Sequence, residues 1–536
     1  MIEDNRYVKD MEQYEGLEGW ERISLGEWLS TCAGRYGEKT AVIDAENELT
    51  YSELDYKVGR LASALYGIGI KNGDKVVVQI PNRISFVISL FAVIRIGAVP
   101  ILALPAHREL ELEGIMKVSE PKAYIVAERY LGYEYLSMAK GLKEKFSCLE
   151  TIIVDGENGG DFLLKNLDEE KREWKEVDGY LTAVLLLSGG TTGVPKLIPR
   201  THTDYLYNAR MSVKRCEMDS RTVYLAALPV AHNFPLSCPG LIGTLDVGGT
   251  VVLCKNTSPD EILSLITEKK VTITSLVPAM VSMCMEIMEW DDSFDLSSLK
   301  VLQVGGAMLE DTLADKIIKG WTCKLMQVFG TAEGLLCFTK THDLDEIVAH
   351  CQGTPISPAD EVRIVDESGN DVKRGEFGEL LARGPYTIDG YYNAKEINAI
   401  SFTPDGYYKT GDRAMWTADG NIRIGGRLKE QINRVGEKIT PSEVEMYLCQ
   451  HSNVKEAAVV GVPDEVLGNR SCAFIMTEDG NEISRAYIYQ FLKERGLAEY
   501  KIPDQVECTY SWPFTSVGKI DKKALAEIAK SRTQGE

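Results

Sequence analysis

From about residue 180 to 335, short β-rich runs alternate with helix-like ones, and no other feature constrains the fold as tightly. Segments 222–229, 250–254, 271–278, 301–306 and 324–330 read as strands, with helical patterns over 259–270 and 310–321 between the later ones. A strand–helix–strand succession specifies parallel βαβ units and so an α/β sheet with helices on its faces. Open parallel sheets bind ligands beyond the carboxyl ends of their strands. Those ends carry Ala231-His232-Asn233-Phe234-Pro235, Pro278, Gly305-Gly306 and Phe329-Gly330-Thr331, which already sketches a site.

Residues 40–130 repeat the rhythm more loosely. A strand is expected over 75–80, and a helix over 51–66 with Thr50 as N-cap and Glu53 completing a capping box. Between 355 and 428 the period drops to two, with strands over 361–366, 378–383, 407–410 and 421–425 and turns at Ser368-Gly369-Asn370 and Asp419-Gly420. After residue 427 a compact α+β segment begins: a helix headed by Thr440-Pro441-Ser442-Glu443, strands over 454–462 and 470–476, and a helix from Ile483. The expected architecture is a large N-terminal domain, 1–428, of two doubly wound β/α subdomains (roughly 40–180 and 181–354) and a small β-barrel-like one (355–428). A small α+β domain, 429–536, follows.

Composition narrows the function. The 536 residues carry 59 Lys and Arg against 80 Asp and Glu, a formal charge of -21, the wrong sign for a nucleic-acid or anionic-membrane partner. Met1-Ile2-Glu3-Asp4 opens no signal peptide, so a cytoplasmic location is expected. The most apolar stretch, 86–106, contains Arg95, Gly97, Pro100 and Pro105, which suits a buried helix-to-strand passage better than a membrane span. Twelve scattered cysteines form no C-x-x-C pair and read as reduced, mostly buried thiols. Neither H-E-x-x-H nor G-x-S-x-G occurs, so the common zinc-protease and serine-hydrolase signatures are missing.

The strongest local signal is an apolar strand running into Ser188-Gly189-Gly190-Thr191-Thr192-Gly193-Val194-Pro195-Lys196. Glycines let backbone N–H groups approach an anion, hydroxyls add donors and the lysine adds a point charge, so the loop suits a phosphate. It lacks the Gly-Lys-Ser/Thr of a P-loop, since Pro195 precedes Lys196 and Leu197 follows it. With Gln327–Gly334, the run Tyr408-Lys409-Thr410-Gly411-Asp412, residues 426–445 and residues 513–519 in this order, the loop resembles the adenylate-forming superfamily. Within it the chain is similar, over nearly its whole length, to stand-alone aryl-acid adenylating ligases of siderophore assembly.

The resemblance implies a carboxylate activated by ATP to an acyl-adenylate, with pyrophosphate released, and then transferred to a phosphopantetheine thiol. It implies that Ser188–Lys196 hold the β- and γ-phosphates, that Thr331 faces the α-phosphate and that Glu333 binds Mg²⁺. Lys519 would bridge the substrate carboxylate and the α-phosphate. Asp412 and Arg427 would bind the ribose, and Gly305, Gly306, Val328 and Gly330 would flank the nucleotide. Lys429 matches the hinge about which a mobile C-terminal domain turns.

For the aryl pocket the resemblance implies His232, Asn233, Phe234, Cys238, Gly306, Ala307 and Leu336, with Asn233 reading the ortho-hydroxyl or carboxylate. Members taking 2,3-dihydroxybenzoate tend to have Ser and Val where this chain has Cys238 and Leu336, so salicylate is expected and dihydroxybenzoate stays open. A thiol is the weaker hydrogen-bond partner and Leu takes more room than Val, which agrees. With no carrier domain appended, the expected acceptor is an aryl carrier protein on a separate chain, as in nonribosomal peptide synthesis. A coenzyme A ligase, a luciferase-like oxygenase and a catalytically silent sensor are the competing readings.

Overall fold

The five strands expected between 222 and 330 lie side by side in one ladder. In spatial order they are Lys324–Thr331, Val301–Gly305, Ile273–Leu276, Val223–Ala226 and Thr250–Leu253, each parallel to the next. The computed structural model describes residues 9–188, 195–434, 437–464, 467–495, 497, 499–515 and 518–533. Antiparallel Gly334–Phe338 and Thr354–Pro355 extend the ladder at one edge, while Thr40–Ile43 and Glu48–Thr50 extend it at the other, giving nine strands. Helices Pro259–Lys269 and Asp311–Gly320 fall where the periodicity places them.

A seven-stranded sheet forms the second layer system, in the order Leu197–Thr201, Thr182–Leu187, Val99–Leu102, Lys75–Gln79, Ala123–Ala127, Thr151–Asp155 and Phe162–Leu163. The expected division at 180/181 is therefore not where the sheets divide. Residues 40–50 belong to the nine-stranded sheet, and 182–201 to the seven-stranded one. Local periodicity identifies a strand but carries no information about a distant partner, so this exchange was invisible in sequence.

Glu361–Val365, Gly378–Arg383, Tyr408–Trp416 and Ile422–Arg427 form a four-stranded antiparallel meander. Its inner face does not close on itself; Ile364, Leu380, Ala382, Ala414 and Ile422 pack against Leu335 and Cys337 at the edge of the large sheet. The C-terminal domain has antiparallel Val454–Asp464 and Gly468–Thr477, with Gln505–Cys508 parallel to the latter. Its helix Pro441–Leu448 begins at Thr440 with Pro in the first turn, but no side chain caps it. The expected box partner, Glu443, is instead held by the Lys501 ammonium at 2.7 and 2.9 Å. At Thr50 and Glu53 the expected capping box is formed.

The apolar stretch 86–106 is a helix, Ile84–Arg95, followed by the strand Val99–Leu102. Its one charge is buried and fully engaged: Arg95 Nη2 lies 2.6 Å from Asp55 Oδ1 and also donates to Gly26 O and Ser30 Oγ. Among the described residues no helix is long and apolar enough to cross a membrane. All twelve cysteines are free thiols. Removing the carboxylate from Asp55 leaves a buried guanidinium without its counter-charge, a loss of about 3–5 kcal/mol. Asp55→Ala is accordingly expected to lower the thermal midpoint, whereas Glu53→Ala at the exposed cap costs about 1 kcal/mol or less; differential scanning calorimetry of both checks the ranking.

Candidate functional site

The carboxyl ends of the central strands and the meander edge meet at one cleft. Strand Thr182–Leu187 delivers Ser188, whose N–H donates to Lys196 O at 3.1 Å and closes the base of the glycine-rich loop. Gly189, Gly190, Thr191, Thr192 and Gly193 lie outside the described residues. Lys196 Nζ stands 4.8 Å from the centre of the Tyr391 ring, a cation–π contact. The Tyr391 hydroxyl donates to Glu333 Oε1 at 2.8 Å, so one buried tyrosine joins the loop lysine to the candidate metal carboxylate.

Glu333 occupies the tight turn between Lys324–Thr331 and Gly334–Phe338. Three contacts fix that turn. Thr331 Oγ1 donates to Gly334 O, Ile388 N donates to Glu333 O at 2.7 Å, and Arg200 Nη1 donates to Ala332 O at 3.1 Å. Arg200 is fully buried and balanced by Asp204 at 2.8 Å. Thr331 is buried, whereas Gly330 is exposed to the cleft.

Strand register sets the adjoining wall. Gly305 pairs with Val328, and Gly330 with Leu336. A Cβ on Gly305 would lie 2.5 Å from the backbone oxygen of Val328, so that position tolerates hydrogen only, whereas one on Gly330 would lie 2.2 Å from Leu336 Cδ2 and would push that side chain aside. Gly306 takes φ +77°, which favours glycine, and leads into exposed Ala307.

Asp412 and Arg427 pair across the meander in register, with Arg427 Nε 2.8 Å from Asp412 Oδ1. Arg427 Nη1 donates to Thr410 O, and the Thr410 hydroxyl accepts from Asp412 N. Asp412 Oδ2 is buried without a hydrogen-bond partner. Burial raises the Asp412 pKa to about 6 against the opposing pull of Arg427, Thr410 and Lys519. Just beyond Arg427, Lys429 lies in the short 3₁₀ turn Leu428–Glu430 that leads into the C-terminal domain.

Lys519 enters from that domain on a loop closed by Thr515 N to Lys519 O at 2.7 Å, with Gly518 at φ +77° beside Val277 of the large domain. Its ammonium lies within electrostatic reach of Arg427, Asp412 and Glu430, and of His232 across the cleft. The residue keeps an exposed surface, yet partial desolvation of its ammonium lowers its pKa; Arg427 acts the same way, while Asp412 and Glu430 oppose. The domains also meet through Lys455–Glu286 at 2.5 Å and Lys316–Glu478 at 3.6 Å.

The last group follows strand Val223–Ala226. His232 caps the short helix Asn233–Ser237 through Nδ1, which accepts from Phe234 N at 3.2 Å. Burial, then Lys519, lowers its pKa to about 4, so the ring is neutral and carries its proton on Nε2. Phe234 packs inward. The Asn233 amide contacts two neighbours: Oδ1 accepts from the Tyr205 hydroxyl at 2.9 Å, and Nδ2 donates to Cys238 Sγ at 3.4 Å. The buried Cys238 thiol in turn donates to Asn233 O at 3.5 Å, and burial pushes its pKa up to about 12.

The structure thus brings Lys196, Glu333, Asp412, Arg427, Lys519 and His232 together, and Tyr391, Arg200 and Tyr205 join their surroundings unforeseen. Arg200 had a faint signal, an arginine in an apolar strand four residues before the acidic member of the capping box Thr201/Asp204. Tyr391 had none, because 58 residues separate it from its partner Glu333.

Residues 29–392 match the AMP-binding enzyme family, and 443–519 match the AMP-binding enzyme C-terminal domain. The chain is 47% identical over 518 residues to the 2,3-dihydroxybenzoate-AMP ligase of Bacillus subtilis (strain 168), spanning 96% of this chain and 95% of that one. It is 42% identical to the salicyl-AMP ligase / salicyl-S-ArCP synthetase of Mycobacterium tuberculosis, spanning 96% and 92%. The apo structure of MbtA from Mycobacterium smegmatis matches with a TM-score of 0.75 at 41% identity, over 97% and 98% of the two chains. The chain therefore belongs to the AMP-binding enzyme family, the adenylate-forming enzymes. Its likeness within that family is to aryl-acid AMP ligases, along nearly its full length.

The raised pKa of Asp412 has a thermodynamic consequence. A carboxyl whose folded pKa lies above its unfolded value near 4 favours the fold when protonated, and that stabilisation is lost as pH rises through about 6. Asp412→Asn is permanently neutral. Its stability gain over wild type is expected to grow between about pH 4 and about pH 6, to level off above, and to reach roughly 1–3 kcal/mol, measurable as thermal midpoints of the ligand-free protein across that range.

Proposed function

We propose that this enzyme activates salicylate with ATP to salicyl-AMP and transfers the salicyl group to the phosphopantetheine thiol of a separate aryl carrier protein, a cytoplasmic step in siderophore assembly. The observation that carries the choice of acid is the Cys238 thiol. Its hydrogen goes to Asn233 O and its sulfur accepts from Asn233 Nδ2. What remains for a 3-hydroxyl is a weak sulfur acceptor where serine would offer a stronger oxygen, and Leu336, buried in the same core, takes the room that a smaller residue would leave.

The proposed chemistry assigns each group a task. The loop from Ser188 to Lys196 holds the β- and γ-phosphates, with Lys196 supplying positive charge as pyrophosphate departs. Asp412 fits the ribose, since its buried, unpartnered Oδ2 is an acceptor that a sugar hydroxyl would satisfy, with Arg427 holding the other oxygen. Gly305, Gly306 and Gly330 offer a flat, side-chain-free surface to the base and its ribose, with Val328 supplying an apolar side chain beside it. Thr331 stands beside the α-phosphate.

Among the described residues no three His, Cys, Asp or Glu side chains gather to bind a metal. Glu333 alone fits Mg²⁺ that arrives with the nucleotide, because Mg²⁺ takes one or two carboxylates and fills its other positions with phosphate oxygens and water. When bound, the ion would neutralise phosphate charge. Lys519 holds the substrate carboxylate against the α-phosphate; a carboxylate oxygen then bonds to phosphorus as the bond to pyrophosphate breaks. In the second step the pantetheine sulfur attacks the acyl carbon, giving up its proton, and AMP leaves. Rotation of the C-terminal domain about Lys429 would withdraw Lys519 and admit the thiol.

ATP–pyrophosphate exchange across salicylate, 2,3-dihydroxybenzoate, benzoate and 4-hydroxybenzoate tests the reading. Salicylate is expected to give the highest kcat/KM, and Lys519→Ala to lower exchange by about 10²–10³-fold. Best exchange with 2,3-dihydroxybenzoate would overturn the choice of acid. Cys238→Ser with Leu336→Val should shift the ratio of kcat/KM values toward 2,3-dihydroxybenzoate by about 10-fold or more; an unchanged ratio would remove this pair as the selector. Comparing coenzyme A with pantetheinylated carrier as acceptor separates a coenzyme A ligase from the proposed transfer.

A further inference from the structure

The orientation of the Asn233 amide is fixed by bookkeeping of hydrogens. Tyr205 is fully buried, and the one acceptor its hydroxyl reaches among the described residues is Asn233 Oδ1 at 2.9 Å. Turning the amide over would set Nδ2 against the phenol oxygen and leave the tyrosine hydrogen buried and unmade, a costly defect. The reverse side agrees, because Cys238 spends its hydrogen on Asn233 O and can only accept from Nδ2. Of the two Nδ2 hydrogens one goes to sulfur; the other has no partner among the described residues. The Asn233 amide is therefore fixed in orientation with one donor hydrogen to spare.

We infer that Tyr205 is a specificity-determining positioning residue: by pinning the Asn233 amide, it makes the pocket read an ortho acceptor atom, and so select a 2-hydroxybenzoate against a 2-aminobenzoate. This rests on the aryl-acid reading of the pocket given above. In salicylate the phenolic hydrogen turns to the neighbouring carboxylate, which leaves the phenolic oxygen to accept from Nδ2. In 2-aminobenzoate the amine also donates to the carboxylate, but its nitrogen lone pair is delocalised into the ring and accepts poorly. The second amine hydrogen would meet another hydrogen on Nδ2. Cys238 supports this reading through Asn233, whose Nδ2 it accepts from.

The test is kcat/KM for salicylate and for 2-aminobenzoate, by ATP–pyrophosphate exchange with the full chain. Tyr205→Phe keeps the ring, which lies 4.8 Å from the Arg200 guanidinium, and removes only the hydroxyl. With the pin gone the amide turns to suit either ligand, and the salicylate preference is expected to fall by about 10-fold or more. A merely structural role would lower both values together and leave their ratio alone, and a ratio unchanged within about 2-fold would overturn the inference. If Tyr205→Phe does not fold, Asn233→Asp gives an independent answer. It still accepts from Tyr205 but offers the ligand only an acceptor, so the ratio should move toward 2-aminobenzoate; equal losses for both acids would again overturn it. Absence of exchange by the wild type with any 2-substituted benzoate would sink the aryl-acid reading and this inference with it, a result distinct from an unchanged ratio.

Discussion

The ladder joining Val301–Gly305, Lys324–Thr331 and Gly334–Phe338 sets the positions of nearly everything else in the cleft. Its register places Gly305 against Val328, Gly330 against Leu336 and Thr331 against Gly334. The proposed nucleotide surface and the proposed aryl wall are thus opposite ends of one set of backbone hydrogen bonds. A slip of one residue would turn every side chain in the middle strand to the other face. Gly305 follows from this constraint, since a Cβ there would strike the backbone of the neighbouring strand, and one at Gly330 would displace the Leu336 side chain.

Onto that frame are hung charges that the fold would sooner do without. Asp412 sits almost wholly buried with one oxygen unsatisfied, and Lys519 is held where partial desolvation and Arg427 disfavour its charge. Groups set against their own solvation are characteristic of functional sites. The counterweights are local. Tyr391 links Lys196 to Glu333, Thr410 braces the Asp412–Arg427 pair, and Arg200 anchors the turn that carries Glu333. The C-terminal domain leans on the large one through partly exposed ion pairs such as Lys455–Glu286, which contribute little each and are weakened by salt.

Much of this was legible before any coordinates. Strands, helices and their order follow from period and turn chemistry, and the strand ends that line the cleft could be named from them. What stayed hidden was partnership. Thr40–Ile43 gives no hint that it pairs with Thr250–Leu253, and Glu443 satisfies a capping pattern that Lys501 overrides in space. Tyr391 and Tyr205 were missed for the same reason, because each matters only through an atom that the chain brings to it from far away. Cys238 was recognised, yet with a different neighbour in view: its hydrogen bonds are with Asn233.

That sulfur has one further property. An adenylate-forming enzyme creates a mixed anhydride, an acylating agent, inside its own walls, and a thiolate there would be an efficient trap for it. Burial holds the Cys238 thiol at a pKa of about 12, and its hydrogen is committed to a backbone carbonyl, so almost none of it is ionised near neutrality. The chain can therefore carry a sulfur next to the amide proposed to orient its substrate without acylating itself.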